Sequence, residues 1–320
     1  MIKTVLLSVI DIFNHPLLYV VQTMKQSFIK LHLSVLIAGF TSILGKLITL
    51  NEVFLVWYRM LITSILLLII LSVKKQLQRL PVKEILKLGG IGILLTSHWV
   101  FFYGSIKASN VSIGVVCFSL SGVFTAIFEP LLHRRRIKIR EIFFSLLTLC
   151  GISLIFHFDS RYRLGIVLGT VSSALAALFI ITNKRISTKH SSTTILFYEM
   201  VSGFLFLSVL IPFFLYFSSK IFAVLNNTNI IYILCLAVFC TIGLYTLQTH
   251  ALRRISAFTV NLSYNLEPLY SIILAMIIFG EEKELNFAFY VGLGFIVLSV
   301  VLQTLVFLQN KNDNTVIMTT

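Results

Sequence analysis

The chain has 320 residues, of which 58% are hydrophobic and only 12% are charged. Soluble domains average about 25% charged residues, so this composition excludes a soluble globular domain and indicates an integral membrane protein. The formal net charge of +14 is spread over short basic clusters that separate long apolar runs. Such clusters are typical of loops at a membrane surface, and we expect no nucleic-acid partner.

Residues 1–30 contain an apolar run that Asp11 and His15 interrupt, and no small-residue cleavage site follows it. A cleaved signal peptide is therefore not expected here. Two alternatives stay open. The segment is an interfacial or cytoplasmic amphipathic helix, or the protein starts at Met24 instead of Met1.

Ten apolar runs follow, and each has roughly the 17–25 residues that a helix needs to cross a bilayer. The links between them are short, so consecutive helices are expected to lie antiparallel. The sequence predicts an all-α integral membrane protein with ten transmembrane helices. The runs cover about residues 32–50, 53–73, 87–106, 111–132, 142–158, 164–183, 193–217, 229–251, 256–279 and 286–308.

The second half of the chain resembles the first when it is shifted by about 140 to 146 residues. Trp57-Tyr58-Arg59-Met60 then faces Phe197-Tyr198-Glu199-Met200, and Lys107 faces Arg253. Each half holds five predicted spans, an odd number, so the second half must be inserted upside down. Two inverted repeats around a midplane site are common in secondary transporters.

The first five-helix repeat covers residues 31–158 and the second covers residues 159–308. Residues 1–30 precede them, and residues 309–320 form a tail. Most Lys and Arg residues fall in alternate links, which the positive-inside rule places in the cytoplasm together with both termini. We expect a multi-pass protein of the cell (inner) membrane.

The sixth span carries small residues at every fourth position: Gly165, Gly169, Ser173 and Ala177. Such a ridge lets a neighbouring helix approach closely. We interpret it as a packing surface and not as a site.

The ninth span is apolar except for a polar stretch in its middle. A carboxylate at membrane depth costs at least ~2.5 kcal/mol, so Glu267 should face a protein interior or a water-filled cavity. Pro268 removes a backbone donor and opens the helix beside it, which makes it a candidate gate. Asn261, Tyr264, Asn265 and Pro268 recur at helical spacing and share one face. The span therefore predicts the wall of a polar cavity.

Four short motifs of the chain belong together: Gly45-Lys46, Trp57-Tyr58-Arg59, Asn261 to Pro268 and Phe279-Gly280-Glu281. Through these motifs the chain resembles the EamA family of the drug/metabolite transporter superfamily over about residues 31–308. In the first half, Gly122 stands where the family pattern has proline, and Arg134-Arg135-Arg136 replaces a Gly-Glu-Arg turn. The resemblance implies a ten-helix carrier with alternating access to a central cavity, and peripheral fifth and tenth spans.

Glu267 is the first candidate for solute contact. It would bind a substrate amine or couple transport to protons, and the alternative is a structural group satisfied at the Pro268 bend. Arg59 and Glu199 occupy matching positions of the repeat with opposite charge. Because an inverted repeat places them at opposite depths, each is expected to line its own half of the cavity or to reach its own interface.

Further polar or aromatic contacts are expected in the third and eighth spans, with core packing as the alternative for each. These candidates are His98, Trp99, Tyr245 and Gln248.

The four cysteines lie in apolar runs without ligand spacing, so we expect neither a disulfide framework nor a metal site. P-loop, H-E-x-x-H and G-x-S-x-G motifs are lacking, and we expect neither an enzyme nor a cofactor. The sequence predicts a secondary transporter of small organic metabolites, with amino acids or related compounds as candidate solutes and export as the expected direction. Its partners would be the solute, protons and the lipid bilayer, and the oligomeric state stays open. An intramembrane enzyme or a membrane scaffold is the alternative.

Overall fold

The structure is a computed structural model. It describes residues 2–134, 139–156, 162–218, 224–264, 266–283, 285–299 and 301–302, and for 2–23, 140–142, 155–156, 218 and 261–262 the backbone only. Within these ranges all regular structure is helical and strands are absent. The all-α prediction is confirmed for this part of the chain.

The helices follow one another with short links, as the sequence predicts. Helix α1 is continuous from Ile2, so it joins the predicted N-terminal segment to the first predicted span. The helices are α1 Ile2–Leu47, α2 Glu52–Val73, α3 Val82–Ala108, α4 Val111–Phe118, α5 Leu120–His133, α6 Ile139–Phe156, α7 Arg163–Ile186, α8 Ser192–Ser218, α9 Asn227–Ala237, a π-helical turn Val238–Gly243, α10 Leu244–Leu252, α11 Ala257–Tyr264, α12 Glu267–Phe279, a 3₁₀ turn Glu281–Lys283 and α13 Phe287–Ser299.

Seven stretches of the described chain are long and apolar enough to cross a membrane, and three shorter apolar helices accompany them. The long stretches are Met24–Leu47, Glu52–Val73, Val82–Ala108, Val111–His133, Arg163–Ile186, Ser192–Phe217 and Asn227–Leu252, and the shorter ones are Phe143–Leu154, Glu267–Phe279 and Phe287–Ser299.

Side-chain caps begin several of these helices. Asn51 Oδ1 accepts the Phe54 N–H at 3.0 Å, and Asn110 Oδ1 accepts the Ile113 N–H at 2.9 Å. Each cap satisfies a backbone donor that the first helical turn leaves without an intrahelical acceptor. The caps therefore fix where the chain leaves a link and enters the next helix.

Two stretches are interrupted near their middle. Helix α4 ends at Phe118 and α5 begins at Leu120, without a proline at the interruption. Helix α11 ends at Tyr264 and α12 begins at Glu267, with Pro268 in the first turn. The half-helices cross, because α4 packs on α12 and α5 packs on α11. Each interrupted stretch thus contacts the other on both sides of its break.

Helix α3 lies at the centre of the fold and packs against α7 and α8. At Gly92 the contact is so close that a Cβ atom would lie 2.4 Å from the Glu199 carbonyl oxygen. On the other side, the small residues of α7 meet α3 and α4: a Cβ atom at Gly169 would lie 2.5 Å from Cys117 Cβ, and Ser173 Oγ donates to the Cys117 carbonyl. The predicted small-residue ridge is therefore a packing surface.

Helices α6 and α13 pack against each other. A Cβ atom at Gly151 would lie 2.5 Å from the Gly292 carbonyl oxygen, and Thr148 Oγ1 donates to Ser299 Oγ at 3.1 Å. Neither helix supplies a described residue to the central cavity.

Candidate functional site

A small cavity lies where the central helices converge. Its volume is about 40 Å³, which leaves room for about three water molecules. Helices α1, α2, α3, α4, α7, α11 and α12, the π-helical turn and α10 all contribute to its wall. Seven residues singled out in the sequence line it together: Arg59, His98, Trp99, Tyr245, Gln248, Tyr264 and Glu267.

Arg59 enters the cavity wall from α2 and is fully buried. Its Nε donates to Thr241 Oγ1 at 2.8 Å, and Nη1 donates to Tyr103 Oη at 2.6 Å. Its Nη2 donates to the Cys240 carbonyl at 2.8 Å. The guanidinium carbon also lies 3.6 Å from the centroid of the Trp99 ring, a cation–π contact. All these partners are neutral, so Arg59 is held in place without a counter-charge among them.

The π-helical turn supplies two of the groups that hold Arg59. The Leu244 N–H donates to the Phe239 carbonyl, five residues back, which replaces the α-helical pattern. Thr241 Oγ1 in turn donates to the Leu236 carbonyl at 2.7 Å. Single π-helical turns are frequent at functional sites because they redirect carbonyl groups and side chains. Here the turn presents the Cys240 carbonyl and the Thr241 hydroxyl to the arginine.

The aromatic wall of the cavity is built around Trp99. Its Nε1 donates to Tyr245 Oη at 3.0 Å, and the two rings meet edge to face at a centroid distance of 5.5 Å. Phe179 of α7 also packs edge to face with Tyr245, at a centroid distance of 5.9 Å. The wall joins three helices through rings whose polar atoms are already bonded.

His98 is anchored to α7. Ser172 Oγ donates to the His98 carbonyl at 3.0 Å, while His98 Nδ1 lies 2.8 Å from Ser172 Oγ and 3.1 Å from the Ser172 carbonyl. Because a carbonyl only accepts, this geometry assigns the proton of a neutral ring to Nδ1 and leaves Nε2 as the acceptor.

Glu267 begins α12 and is only 4% exposed. Within the part of the chain that the structure describes, no hydrogen bond or ion pair reaches its carboxyl group. Nearby, Gln248 is 3% exposed, and its Oε1 has no hydrogen-bond partner among the described residues. Tyr264 is bound at its hydroxyl, which donates to Ser34 Oγ of α1 at 3.1 Å. The cavity thus contains two buried acceptors, a carboxyl group and an amide oxygen, that receive no hydrogen bond from the described residues.

Glu199 is buried but is not part of the cavity wall. Asn183 Nδ2 of α7 donates to its Oε1 at 3.2 Å, and its backbone abuts Gly92 of α3. The structure therefore separates Glu199 from Arg59, its counterpart in the predicted repeat. Pro268 lies buried in the first turn of α12.

The side chains of two predicted site residues are not described by the structure. Asn265 falls outside the described residues, and only the backbone of Asn261 is described. Their roles stay predictions.

Comparison with known proteins identifies the family. The sequence model of the EamA-like transporter family matches residues 27–157 and 163–305. This chain belongs to the EamA-like transporter family. An uncharacterized transporter of Clostridium kluyveri is 24% identical over 219 residues, which are 66% of this chain and 68% of that protein. The family predicted from the motifs is confirmed, and the chain is a multi-pass membrane protein of the transporter type.

A crystal structure of another protein has the same fold. It superposes with a TM-score of 0.65 at 14% identity and covers 89% of this chain and 97% of its own. At that identity the likeness concerns the fold alone.

Proposed function

We propose that this EamA-family protein is a secondary transporter of small zwitterionic solutes, with apolar or aromatic α-amino acids as the solute class. The observation that carries the proposal is the charge arrangement of the cavity. Arg59 and Glu267 are both buried in one wall, and they form no hydrogen bond or ion pair with each other.

Buried charges are costly unless each is paired. The guanidinium group of Arg59 has five N–H donors, of which three bind Thr241, Tyr103 and the Cys240 carbonyl. The remaining donors suit a carboxylate, which arginine binds well through two parallel bonds. Glu267 and the Gln248 oxygen suit an ammonium group, which only donates. A zwitterion would satisfy both ends at once.

The rest of the wall suits a carbon skeleton. Trp99, Phe102, Phe118, Phe179 and Tyr245 surround the polar groups. Ligand sites typically combine such apolar surface with a few polar groups that fix orientation. The present space of about 40 Å³ is too small for an amino acid. The cavity must therefore widen during transport, which an alternating-access carrier requires.

Ten spans in two inverted halves provide the proposed framework. Asn51 caps Phe54, and 140 residues later Ser191 Oγ accepts the Thr194 N–H at 3.2 Å. A second pair of caps repeats likewise: Asn110 with Ile113, and 146 residues later Ser256 with Thr259 at 3.1 Å. Equivalent helix starts in both halves support the repeat.

A second correspondence between the two halves concerns a basic residue at a helix end that binds backbone carbonyls of a link between two other helices. Lys107 Nζ at the end of α3 donates to the Ile48 and Leu50 carbonyls in the link between α1 and α2. Arg253, its predicted counterpart at the end of α10, donates to the Ser187 and His190 carbonyls at 2.8 Å in the link between α7 and α8. The family match over two stretches of similar length also supports two repeats.

The direction is proposed from charge. The positive-inside bias places both termini in the cytoplasm and the Arg134-Arg135-Arg136 cluster on that side. We propose export, with solute entering from the cytoplasm, and either protons or the solute gradient as the driving force.

Counterflow tests the proposal. Proteoliposomes with the purified protein are loaded with a mixture of unlabelled leucine and phenylalanine, and entry of each radiolabelled amino acid is followed. We expect transient accumulation above that in protein-free liposomes, and none for labelled lysine or glutamate, whose extra charge the apolar wall rejects. Failure of every apolar or aromatic zwitterion to accumulate would contradict the proposal.

A further inference from the structure

Glu281 joins the end of the ninth predicted span to the start of the fourth. Gly280 ends α12 with a φ of 68°, a conformation that glycine adopts without strain, and so turns the chain toward α4. Glu281 is 3% exposed. Its Oε1 accepts the Val111 N–H at 3.0 Å, and its Oε2 accepts the Ser112 N–H at 3.0 Å and the Ser112 hydroxyl at 2.6 Å.

This arrangement satisfies the whole first turn of α4. Asn110 takes the Ile113 N–H through its side chain and the Gly114 N–H through its carbonyl, and Glu281 takes the two donors that remain. A carboxylate is also stabilised by the positive end of the helix dipole. The contact is therefore strong, and it ties two half-helices that would have to separate for this end of the cavity to open.

At the opposite end of the molecule, the residues that the structure describes make no such contact. Helix α11 starts like α4: Ser256 takes the Thr259 N–H through its side chain and the Val260 N–H through its carbonyl. No described residue accepts from the Ala257 or Phe258 N–H, the counterparts of Val111 and Ser112 at the same shift. Residue 135, the counterpart of Glu281, is arginine, which cannot accept a hydrogen bond.

Burial differs at three of the four matched positions. Asn110, Ser112 and Ile113 are 2%, 0% and 4% exposed, whereas Ser256 is exposed and Phe258 and Thr259 are only half-buried. Val111 and its counterpart Ala257 are both fully buried. One end of the interrupted pair is closed by a carboxylate that accepts three hydrogen bonds, and among the described residues no such contact links α11 to α5 at the other end.

We propose that Glu281 is a positioning residue of the transport cycle, which clamps α4 to α12 and makes the carrier rest with the Glu281 end closed. This inference rests on the proposed function, because it assumes that the cavity opens alternately to each end. Solute then enters the resting carrier from the end of α5 that carries Arg134. With that cluster in the cytoplasm, the clamp makes the resting carrier open to cytoplasmic solute, the starting state that export requires.

Thiol labelling tests the clamp without any solute. Cys117, Cys150 and Cys235 are replaced by serine, and Cys240, which lines the cavity, remains as the reporter. A membrane-impermeant methanethiosulfonate is added to right-side-out or inside-out vesicles. A separate Glu282→Cys variant shows which side the exposed Glu281 end faces.

Glu281→Gln should raise the labelling rate from the Glu281 end by about tenfold, equivalent to ~1.4 kcal/mol in the opening equilibrium. The amide nitrogen of glutamine would face a backbone N–H, so half of the clamp is lost. Glu282→Gln, the exposed neighbour, should label like the parent. Ser112→Ala, which removes only the hydroxyl bond, should give a smaller increase and covers the case in which Glu281→Gln does not fold.

A disulfide completes the test. Oxidised Ser112→Cys/Glu281→Cys should block labelling from the Glu281 end and leave the other end unchanged. Unchanged labelling in both Glu281→Gln and Ser112→Ala overturns the clamp and leaves the proposed function standing. Labelling from neither end in any variant overturns both, because the cavity would then not open at all.

Discussion

Helix α12 has one buried carboxyl group at each end, and the two differ in their partners. Glu281 follows the end of the helix and accepts three hydrogen bonds from α4. Glu267 begins the helix, is buried to the same degree, and receives none from the described residues. A buried carboxylate whose oxygens accept hydrogen bonds from another helix holds the two helices together. A buried carboxyl group without donors among the described residues costs stability, and under the proposed function the solute supplies the missing donor.

The largest effect is expected from Glu267→Gln. The substitution removes the proposed partner of the solute's ammonium group. Loss of one member of a buried charge pair costs about 2–5 kcal/mol, so counterflow should fall by on the order of a hundredfold. The free energy of unfolding should stay nearly constant, because a neutral amide replaces a buried carboxyl group that receives no hydrogen bond from the described residues.

Glu281→Gln is the matched control for that variant, since the same substitution is made at the other end of the same helix. It should lower the unfolding free energy by about 2 kcal/mol, because bonds to a charged acceptor are lost. Chemical denaturation of both variants in detergent measures the contrast. Destabilisation by Glu267→Gln with normal counterflow would assign Glu267 a structural role, like that of Glu281.

The next effect is expected from Arg59→Lys, which keeps the charge but loses the planar donor set. An ammonium group cannot span Thr241, Tyr103 and the Cys240 carbonyl while covering the Trp99 ring. The variant should lose about 3 kcal/mol of unfolding free energy, in line with disruption of a buried charged network.

Met60→Leu serves as the matched control for Arg59→Lys, because it changes the neighbouring buried residue without touching the network. Equal stability of Arg59→Lys and the parent protein would show that the three hydrogen bonds of Arg59 do not hold the cavity wall.

A polar cavity could be predicted from the sequence because placing charged or polar side chains in the lipid core costs several kcal/mol. The cost of a carboxylate at membrane depth predicts that Glu267 faces inward, and Arg59, His98 and Gln248 are cavity candidates because they stand in apolar spans. The structure brings them together on one wall. The small-residue ridge of α7 was predictable because glycine and serine at helical spacing let a neighbouring helix approach closely.

Other features left no local signal. The interruption at Ser119 has no proline, unlike its counterpart beside Pro268, and the π-helical turn around Cys240 carries no sequence mark. The hydrogen bonds of Arg59 depend on that turn, so its partners could not be predicted. Glu199 has the local pattern of a cavity residue but packs against Gly92 instead, which only the approach of α3 and α8 decides.

The smallest effect is expected from Trp99→Phe. The ring and most of its packing remain, but the hydrogen bond to Tyr245 is lost, which should cost about 1 kcal/mol. Transport should slow by a few-fold, with the apparent affinity for phenylalanine more affected than that for leucine if aromatic stacking contributes. Equal losses for both solutes would assign Trp99 to packing alone.

Binding of matched analogues tests most directly whether Arg59 and Glu267 pair with the two ends of a zwitterion. Equilibrium binding of phenylalanine, its methyl ester and its deaminated acid is measured on the purified parent protein at neutral pH. Phenylalanine should bind at least about tenfold more tightly than either analogue, because each analogue leaves Arg59 or Glu267 without a partner. Equal affinity for phenylalanine and its ester, or for phenylalanine and the acid, would contradict the account.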